Sequence, residues 1–307
     1  MTALGIDTSN YTTSAALCLS GSITENRKLP LPVASGSRGL RQSDAVFHHT
    51  RQLPQLLGDL LPQPGLGVIG VSVSPRSAPD SYMPCFLVGK GYAQTLGTAL
   101  GVPVALYSHQ QGHLAAALYS AGRLDLLQEK FLAFHVSGGT TEAVLASPGE
   151  NGPSAQVVAA SLDLKAGQAV DRVGLLLGLR FPCGPQLEEL ALSWPKAVGA
   201  KPSMKGADCS LSGLENRCAA MLRQGCQPAE IARFCIESIA AALDAMCARL
   251  LEELGPLPVV FSGGVCSNSL LRQRLEAKYG AVFAAPEFSA DNAAGVAVLA
   301  YLARFCK

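Results

Sequence analysis

Short apolar runs bounded by polar or glycine-rich turns alternate along the chain with longer stretches whose apolar residues recur three and four positions apart, the patterns of buried strands and amphipathic helices. The first run predicts a strand over residues 3–6, a polar turn Asp7-Thr8-Ser9-Asn10-Tyr11-Thr12-Thr13, and a second strand over 14–19. Further strands are predicted over 103–106, 131–136, 142–146 and 258–261. Helices are predicted over 44–61, where Val46, Leu53, Leu56, Leu57 and Leu60 share a face, and over 114–119, 228–253 and 269–278. The longest apolar stretch, 293–300, is far shorter than the roughly 20 residues a membrane span requires, so no membrane partner is expected.

The opening hairpin recurs. Setting each residue against the one 128 positions later pairs Leu4 with Leu132, Ser9 with Ser137, Thr12 with Thr140, Thr13 with Thr141, Ala15 with Ala143 and Leu17 with Leu145. Such a repeat predicts two lobes built alike, over residues 1–128 and 129–287, with a last helix in 288–307 returning to the first. A chain of 307 residues is long enough for two ordinary cores.

Composition narrows the function classes. Apolar residues make up 49% and charged residues 15%, which excludes a disordered chain. With a net charge of +1, any nucleic acid would need a local basic patch or a partner protein. Ten cysteines contain no Cys-x-x-Cys pair and follow no secretory leader pattern, so reduced thiols in a cytoplasmic protein are expected.

Two glycine loops and one histidine pair carry the candidate chemistry. The second hairpin has Val136-Ser137-Gly138-Gly139-Thr140 at its tip, where backbone N–H groups can meet an anion. After the strand over 258–261, Gly263 and Gly264 lead through Asn268 into a helix, a strand-glycine-helix unit suited to a nucleotide. Each loop alone is also compatible with a bare turn. His109 and His113 lie four apart at a helix start, so both imidazoles can reach one cation, and Asp291 offers a carboxylate. The bland alternatives are a packing pair for the histidines and an N-cap for Asp291. Two matching hairpins plus the late glycine unit predict an α/β chain of duplicated RNase H-like lobes, as in the actin, sugar-kinase and heat-shock ATPase group, with a nucleotide cleft between them.

These motifs, in this order, resemble the TsaD-type glycoprotease family of tRNA threonylcarbamoyladenosine synthases. The resemblance rests on Leu4-Gly5-Ile6-Asp7-Thr8-Ser9, His109 to His113, Val136-Ser137-Gly138-Gly139, the segment around Asp171, the turn containing Gly184, Ser210-Leu211-Ser212-Gly213-Leu214, the loop from Gly263 to Asn268, and Asp291-Asn292-Ala293-Ala294. It implies one divalent metal, iron or zinc, on His109, His113 and Asp291. It also implies an adenine nucleotide, ATP, ADP or threonylcarbamoyl-adenylate, on Val136, Ser137, Gly138, Gly139, Asp171, Gly184, Gly263, Gly264 and Asn268. The reaction implied is transfer of a threonylcarbamoyl group to an adenosine of tRNA. In related synthases the helical region over 44–61 helps contact a smaller homologous subunit, which makes a heterodimer an expectation here. His48 and His49, in that region, read as packing or partner-facing residues rather than ligands.

Ser9, Tyr11, Thr12, Gln111 and Thr140 are the candidate acceptor-side residues, and departures from the family pattern cluster among them. Tyr11 and Thr12 stand where the synthases have acidic residues, Gln111 replaces a glutamate and Thr140 a histidine. This pattern suggests a divergent paralogue, with another carbamoyl-type transfer or a non-catalytic nucleotide-binding subunit as alternatives. Proteolysis of the His-Glu-x-x-His kind is not expected, because Gln110 follows His109.

Overall fold

The computed structural model describes residues 1–9, 11–32, 40–78, 80–196 and 198–306. Asn10, inside the polar turn singled out above, lies outside the described residues. In chain order the elements are β1 (Thr2–Ser9), β2 (Thr12–Leu19), β3 (Ser22–Pro30), α1 (Gln42–Leu60), β4 (Leu66–Ser74), α2 (Phe86–Leu100), β5 (Val104–Ser108) and α3 (His109–Ser120). They continue with β6 (Phe131–Val136), β7 (Thr141–Ser147), β8 (Ser154–Ala160), α4 (Ala166–Leu176), α5 (Gly184–Leu192), β9 (Ser203–Lys205), β10 (Asp208–Ser210), α6 (Gly213–Arg223) and α7 (Pro228–Leu254). The last are β11 (Val259–Ser262), α8 (Ser269–Tyr279), β12 (Val282–Phe283) and α9 (Ala294–Phe305).

The chain forms two compact units, one of Met1–Glu129, Ser147–Ala155 and Glu287–Lys307, the other of Lys130–Ala146 and Gln156–Pro286. The first sheet has strand order β3-β2-β1-β4-β5 and the second β12-β11-β6-β7-β8. Each is an antiparallel three-strand meander extended by two parallel strands, so one topology occurs twice. The repeat extends to register: Leu4 faces Leu17 in the first sheet, and Leu132 faces Leu145 in the second.

Residues 7–13 are not the broad turn their polarity suggests, since β1 and β2 pair as far as Ser9 opposite Thr12. Polar side chains are tolerated there because they satisfy one another: Thr8 Oγ1 donates to the Cys85 carbonyl, and Ser9 Oγ donates to Asp7 Oδ2 at 2.6 Å. His49 also belongs to the interior. It is fully buried, with Nδ1 2.8 Å from Thr13 Oγ1, and burial pushes its imidazole down to about 4, against a smaller opposing pull from Asp7.

In the first unit, α9 presses its apolar run onto the sheet and onto α3. Gly5 and Gly70 lie directly under Ala297 and Ala300 of α9, and a Cβ on Gly295 would run into the Gly112 carbonyl of α3. Backbone-to-backbone contact of this kind requires residues without a side chain at the crossing. The second unit packs β6 and β11 against α7, whose Ile231, Cys235, Ile239, Leu243 and Leu250 are buried. Stacked Phe134, Phe261 and Phe283 join adjacent strands, with centroids 4.6 and 5.2 Å apart. Among the described residues no helix is long and apolar enough to cross a membrane, and the ten cysteines are free thiols.

Candidate metal centre and nucleotide pocket

The first unit brings the histidine pair and the predicted carboxylate together. His109 is the first residue of α3, whose N-terminus is closed by a capping box between Ser108 and Gln111. The crossing of α9 over Gly112, midway between the histidines, sets the segment that leads into α9 beside them. His109 Nε2 and His113 Nε2 are 2.8 Å apart, and Asp291 Oδ1 lies 3.4 Å from the first and 3.3 Å from the second. Donors bonded at about 2.1 Å to one tetrahedral cation are separated by about 3.4 Å. The two edges to the carboxylate match that spacing and the imidazole edge is shorter, so the three donors converge on a single ion once the imidazoles part slightly.

Asp291 is not the cap of α9. The N-cap position is Ala293, and the side chain that accepts from Ala294 N, at 3.0 Å, is Asn292 Oδ1. This removes the bland reading of the aspartate and leaves its carboxylate on the two imidazoles.

Behind the triangle stands a residue that the sequence concealed inside an apparent turn. Asp7 is buried on β1 and accepts hydrogen bonds from Ser9, from Ser72 and from His109 Nδ1, the last at 3.2 Å. A carboxylate on Nδ1 fixes the tautomer and leaves the Nε2 lone pair for a metal. Burial alone would raise Asp7, but the charge of His109 and these donors hold it below the usual carboxylate range. Burial likewise opposes a charge on His109, yet Asp7 and then Asp291 outweigh it and raise the imidazole to about 10. Asp291 is held well below the carboxylate range by His109 and His113, against its own burial. One buried and one half-buried carboxylate thus create a place for positive charge, suited to a proton or a metal cation.

Gln111, expected on the acceptor side, is used up locally. Its Oε1 accepts from Ser108 N at 2.8 Å and its Nε2 donates to the Asn151 carbonyl at 2.9 Å, so the side chain caps α3 and ties down the 147–155 segment. Ser9 is spent on Asp7. Tyr11 is 42% exposed, and Thr12 is half-buried. Thr140 lies in the second unit, where its N–H donates to Ser137 Oγ and its carbonyl accepts from Ser137 N at 2.7 Å.

The second unit holds a cavity of about 320 Å³ lined by Gly138, Asp171, Gly184, Gly264 and Asn268 among others, five of the predicted nucleotide residues. Val136 is buried in β6, and Gly263, at φ +98°, rests on its carbonyl, where a Cβ would collide. Val136, Ser137, Gly139 and Gly263 thus frame the pocket rather than line it. Asp171 Oδ1 accepts from Cys183 N at 2.9 Å, fixing the turn that carries Gly184. Asn268 Oδ1 caps α8 through Leu270 N and Leu271 N, which leaves its amide donors for a ligand. Glu188 also lines the cavity, with Oε1 accepting from Ser269 N at 2.7 Å. Sequence reasoning missed Glu188; the available signal was its place one turn after Gly184 on a helix that opens at the glycine turn. The lining mixes apolar walls (Val170, Ile236, Ile239, Leu271) with two carboxylates and one amide, a composition suited to an adenosine.

Comparison with known proteins identifies the family and the fold. Residues 41–298 match the model of the TsaD family, tRNA N6-adenosine threonylcarbamoyltransferase. The chain is similar to the proteins of that name from Pyrobaculum neutrophilum, 29% identical over 99% of this chain and 89% of the relative, and from Thermofilum pendens, 27% identical over 98% and 88%. Among solved structures it resembles component A of the (R)-2-hydroxyglutaryl-CoA dehydratase of Acidaminococcus fermentans, with TM-score 0.57, 15% identity and 98% of each chain covered. It also resembles a ROK family glucokinase from Streptomyces griseus, with TM-score 0.55, 13% identity and 99% of each chain covered. At such identities these structures show the fold alone, the actin-like ATPase and sugar-kinase fold.

Proposed function

The chain belongs to the TsaD family of tRNA N6-adenosine threonylcarbamoyltransferases, and from that premise we propose that it passes a threonylcarbamoyl group from threonylcarbamoyl-adenylate to an adenosine amine of tRNA. The observation that carries the reading is the triangle of His109, His113 and Asp291, with Asp7 fixing its first imidazole. A transferase of this kind forms a bond between the adenosine N6 nitrogen and the carbamoyl carbon. It breaks the bond from that carbon to the phosphate oxygen, and releases AMP and the proton of the amine.

A divalent cation, iron or zinc, on the triangle would supply Lewis acidity toward an oxygen of the mixed anhydride. The protein's own part is to hold three donors in the geometry of one ion and to keep both carboxylates ionised beside it. In the second unit, Asp171 and Glu188 each retain one oxygen not engaged by the turns they fix, and these suit ribose hydroxyls or the adenine amine. The N–H groups around Gly138 suit the phosphate of the adenylate.

The outer face of α1 supports a partner subunit. Phe47 is 55% exposed there with Arg51 stacked on its ring at 5.6 Å, an aromatic and arginine pair of the sort that anchors interfaces. A smaller homologous subunit is the proposed occupant.

A second reading keeps the donor and changes the acceptor. It is favoured by Tyr11, Thr12 and Thr140, which place no ionisable carboxylate or imidazole where the family pattern has them. The deciding experiment is transfer of labelled threonylcarbamoyl from its adenylate to tRNA by the purified chain, alone and with the smaller subunit. Label in tRNA that disappears in His113→Ala supports the first reading. Hydrolysis or transfer to another amine, with tRNA unlabelled under both conditions, supports the second.

A further inference from the structure

Beside the hairpin β9–β10 and the first turns of α6, the second unit holds another cavity, of about 260 Å³. It shares no lining residue with the nucleotide pocket. Its polar wall is made by Lys201, Arg217 and the hydroxyls of Ser203, Ser210 and Ser212, and no carboxylate lines it. Among the described residues Lys201 and Arg217 form no ion pair, and the Ser203 and Ser210 hydroxyls form no hydrogen bond. Elsewhere in this unit Arg172, Arg233, Arg249 and Arg274 each meet a carboxylate. Asp163, which is not part of the lining, is spent on the adjoining turn, accepting from Leu211 N, Ser212 N and Ser212 Oγ.

Lys201, Arg217 and Ser203 are exposed and Ser210 is half-buried, so two cations without a carboxylate partner and two hydroxyls face a small open concavity, a composition suited to a tetrahedral oxyanion. Arginine offers a fork to a phosphate and lysine a point charge, while the volume is below that of an ordinary drug-sized ligand site. The segment that supplies Lys201 widens the positive region, for residues 190–207 contain Lys196, Lys201 and Lys205 and no acidic residue. In the same segment Trp194 is half-buried, with the Lys196 ammonium 5.9 Å from its ring. Cations interleaved with an aromatic ring are the chemistry of a nucleic-acid backbone surface rather than of a free-anion store.

We propose that this cavity takes a backbone phosphodiester of the RNA acceptor, held by Lys201 and Arg217 with Ser203 and Ser210 as hydroxyl donors. The assignment rests on the reading above that the acceptor is an RNA, and it adds the place where that RNA is gripped outside the reacting nucleoside. With a net charge of only +1, the chain needs such a local site to hold a polyanion.

The test measures transfer RNA binding to the full chain, wild type and K201A/R217A, across a salt titration, with ADP binding as the check that the second unit is folded. The expected result is a roughly tenfold loss of RNA affinity and a salt slope shallower by about one, with ADP affinity unchanged. An unchanged affinity and slope overturns the proposal. If inorganic phosphate alone saturates the cavity at millimolar concentration and leaves RNA affinity untouched, the ligand is free phosphate and the RNA assignment falls. Ser203→Ala with Ser210→Ala provides a milder variant, expected to weaken binding without altering the salt slope. Loss of threonylcarbamoyl transfer in the wild type with RNA binding retained would sink the transfer reading alone, whereas transfer intact in a variant that binds RNA normally would sink this one alone.

Discussion

Substituting Gly295 by alanine isolates what seats the third ligand. A Cβ there would overlap the Gly112 carbonyl oxygen and lie 2.6 Å from its carbon and 2.9 Å from Ala116 N. All three are backbone atoms, so no rotamer change relieves the contact. Ordinary heavy-atom contact needs about 3.5 Å, so to clear the carbonyl oxygen α9 must retreat from α3 by roughly 1.5–2 Å. Overpacking of this kind costs about 1–3 kcal/mol, partly offset by the better helix propensity of alanine, about 1 kcal/mol. A backbone overlap this severe falls in the upper half of that range, leaving about 1–2 kcal/mol net and an expected fall in Tm of about 2–8 °C. Because a metal site tolerates only about 0.2 Å of error in its bond lengths, the same retreat should cost at least about tenfold in metal affinity. Calorimetry with and without excess zinc, together with elemental analysis of the purified protein, reads both effects. Gly91, on α2 with nothing within 4 Å of its Cβ position, is the matched control; Gly91→Ala should be neutral or stabilising. A Gly295→Ala protein with wild-type Tm and metal content would refute the argument that this crossing builds the site.

Three further outcomes follow from the geometry. His113→Ala or Asp291→Ala should abolish metal retention, and Asp7→Asn, which keeps all three ligands, should weaken it about 10–100-fold, both read by elemental analysis and competitive chelation. Asp171→Ala should weaken ADP binding about tenfold in calorimetric titration while leaving metal content unchanged, because the residue lines only the second unit's pocket. Asp244, which receives Lys278, Tyr279 and Arg274, is held below the usual carboxylate range by those partners against its burial. Its contribution to stability is therefore present above a pH of about 4 and is lost as pH falls through its lower folded value. Asp244→Asn should destabilise by about 1–3 kcal/mol at neutral pH, read by urea unfolding, and should flatten the acid limb of the stability profile.

The duplicated architecture was legible because the repeat of leucines and hydroxyls at a fixed offset marks equivalent ladder positions, and Leu4 opposite Leu17 reappears as Leu132 opposite Leu145. The histidine pair was legible because helical spacing converts directly into proximity. Asp7 was not, since local polarity around it reads as a turn, and only the long-range partners Ser72 and His109 turn that polarity into a buried network. Gln111 misled for a related reason. Its chemistry suggested the reacting groups, but an N3 position on a short helix recruits a glutamine for capping before anything else. Glu188 and the small hairpin β9–β10 carried no periodic signal, for the one sits on a half-exposed helix and the other is mostly polar.

The helix α9 gives the first unit a particular order of completion during synthesis. Strands β1, β2, β4 and β5 and both histidines emerge early, but the face of the sheet over Gly5 and Gly70 stays uncovered until residues 287–307 have left the ribosome. The whole second unit is made in the interval, and it contains every strand of its own sheet. A chain interrupted before Asp291 therefore carries two histidines without their carboxylate, and an apolar sheet face without its cover. Closure of the triangle therefore waits on residues 287–307, and chains that stop short of them leave that sheet face open to proteolysis.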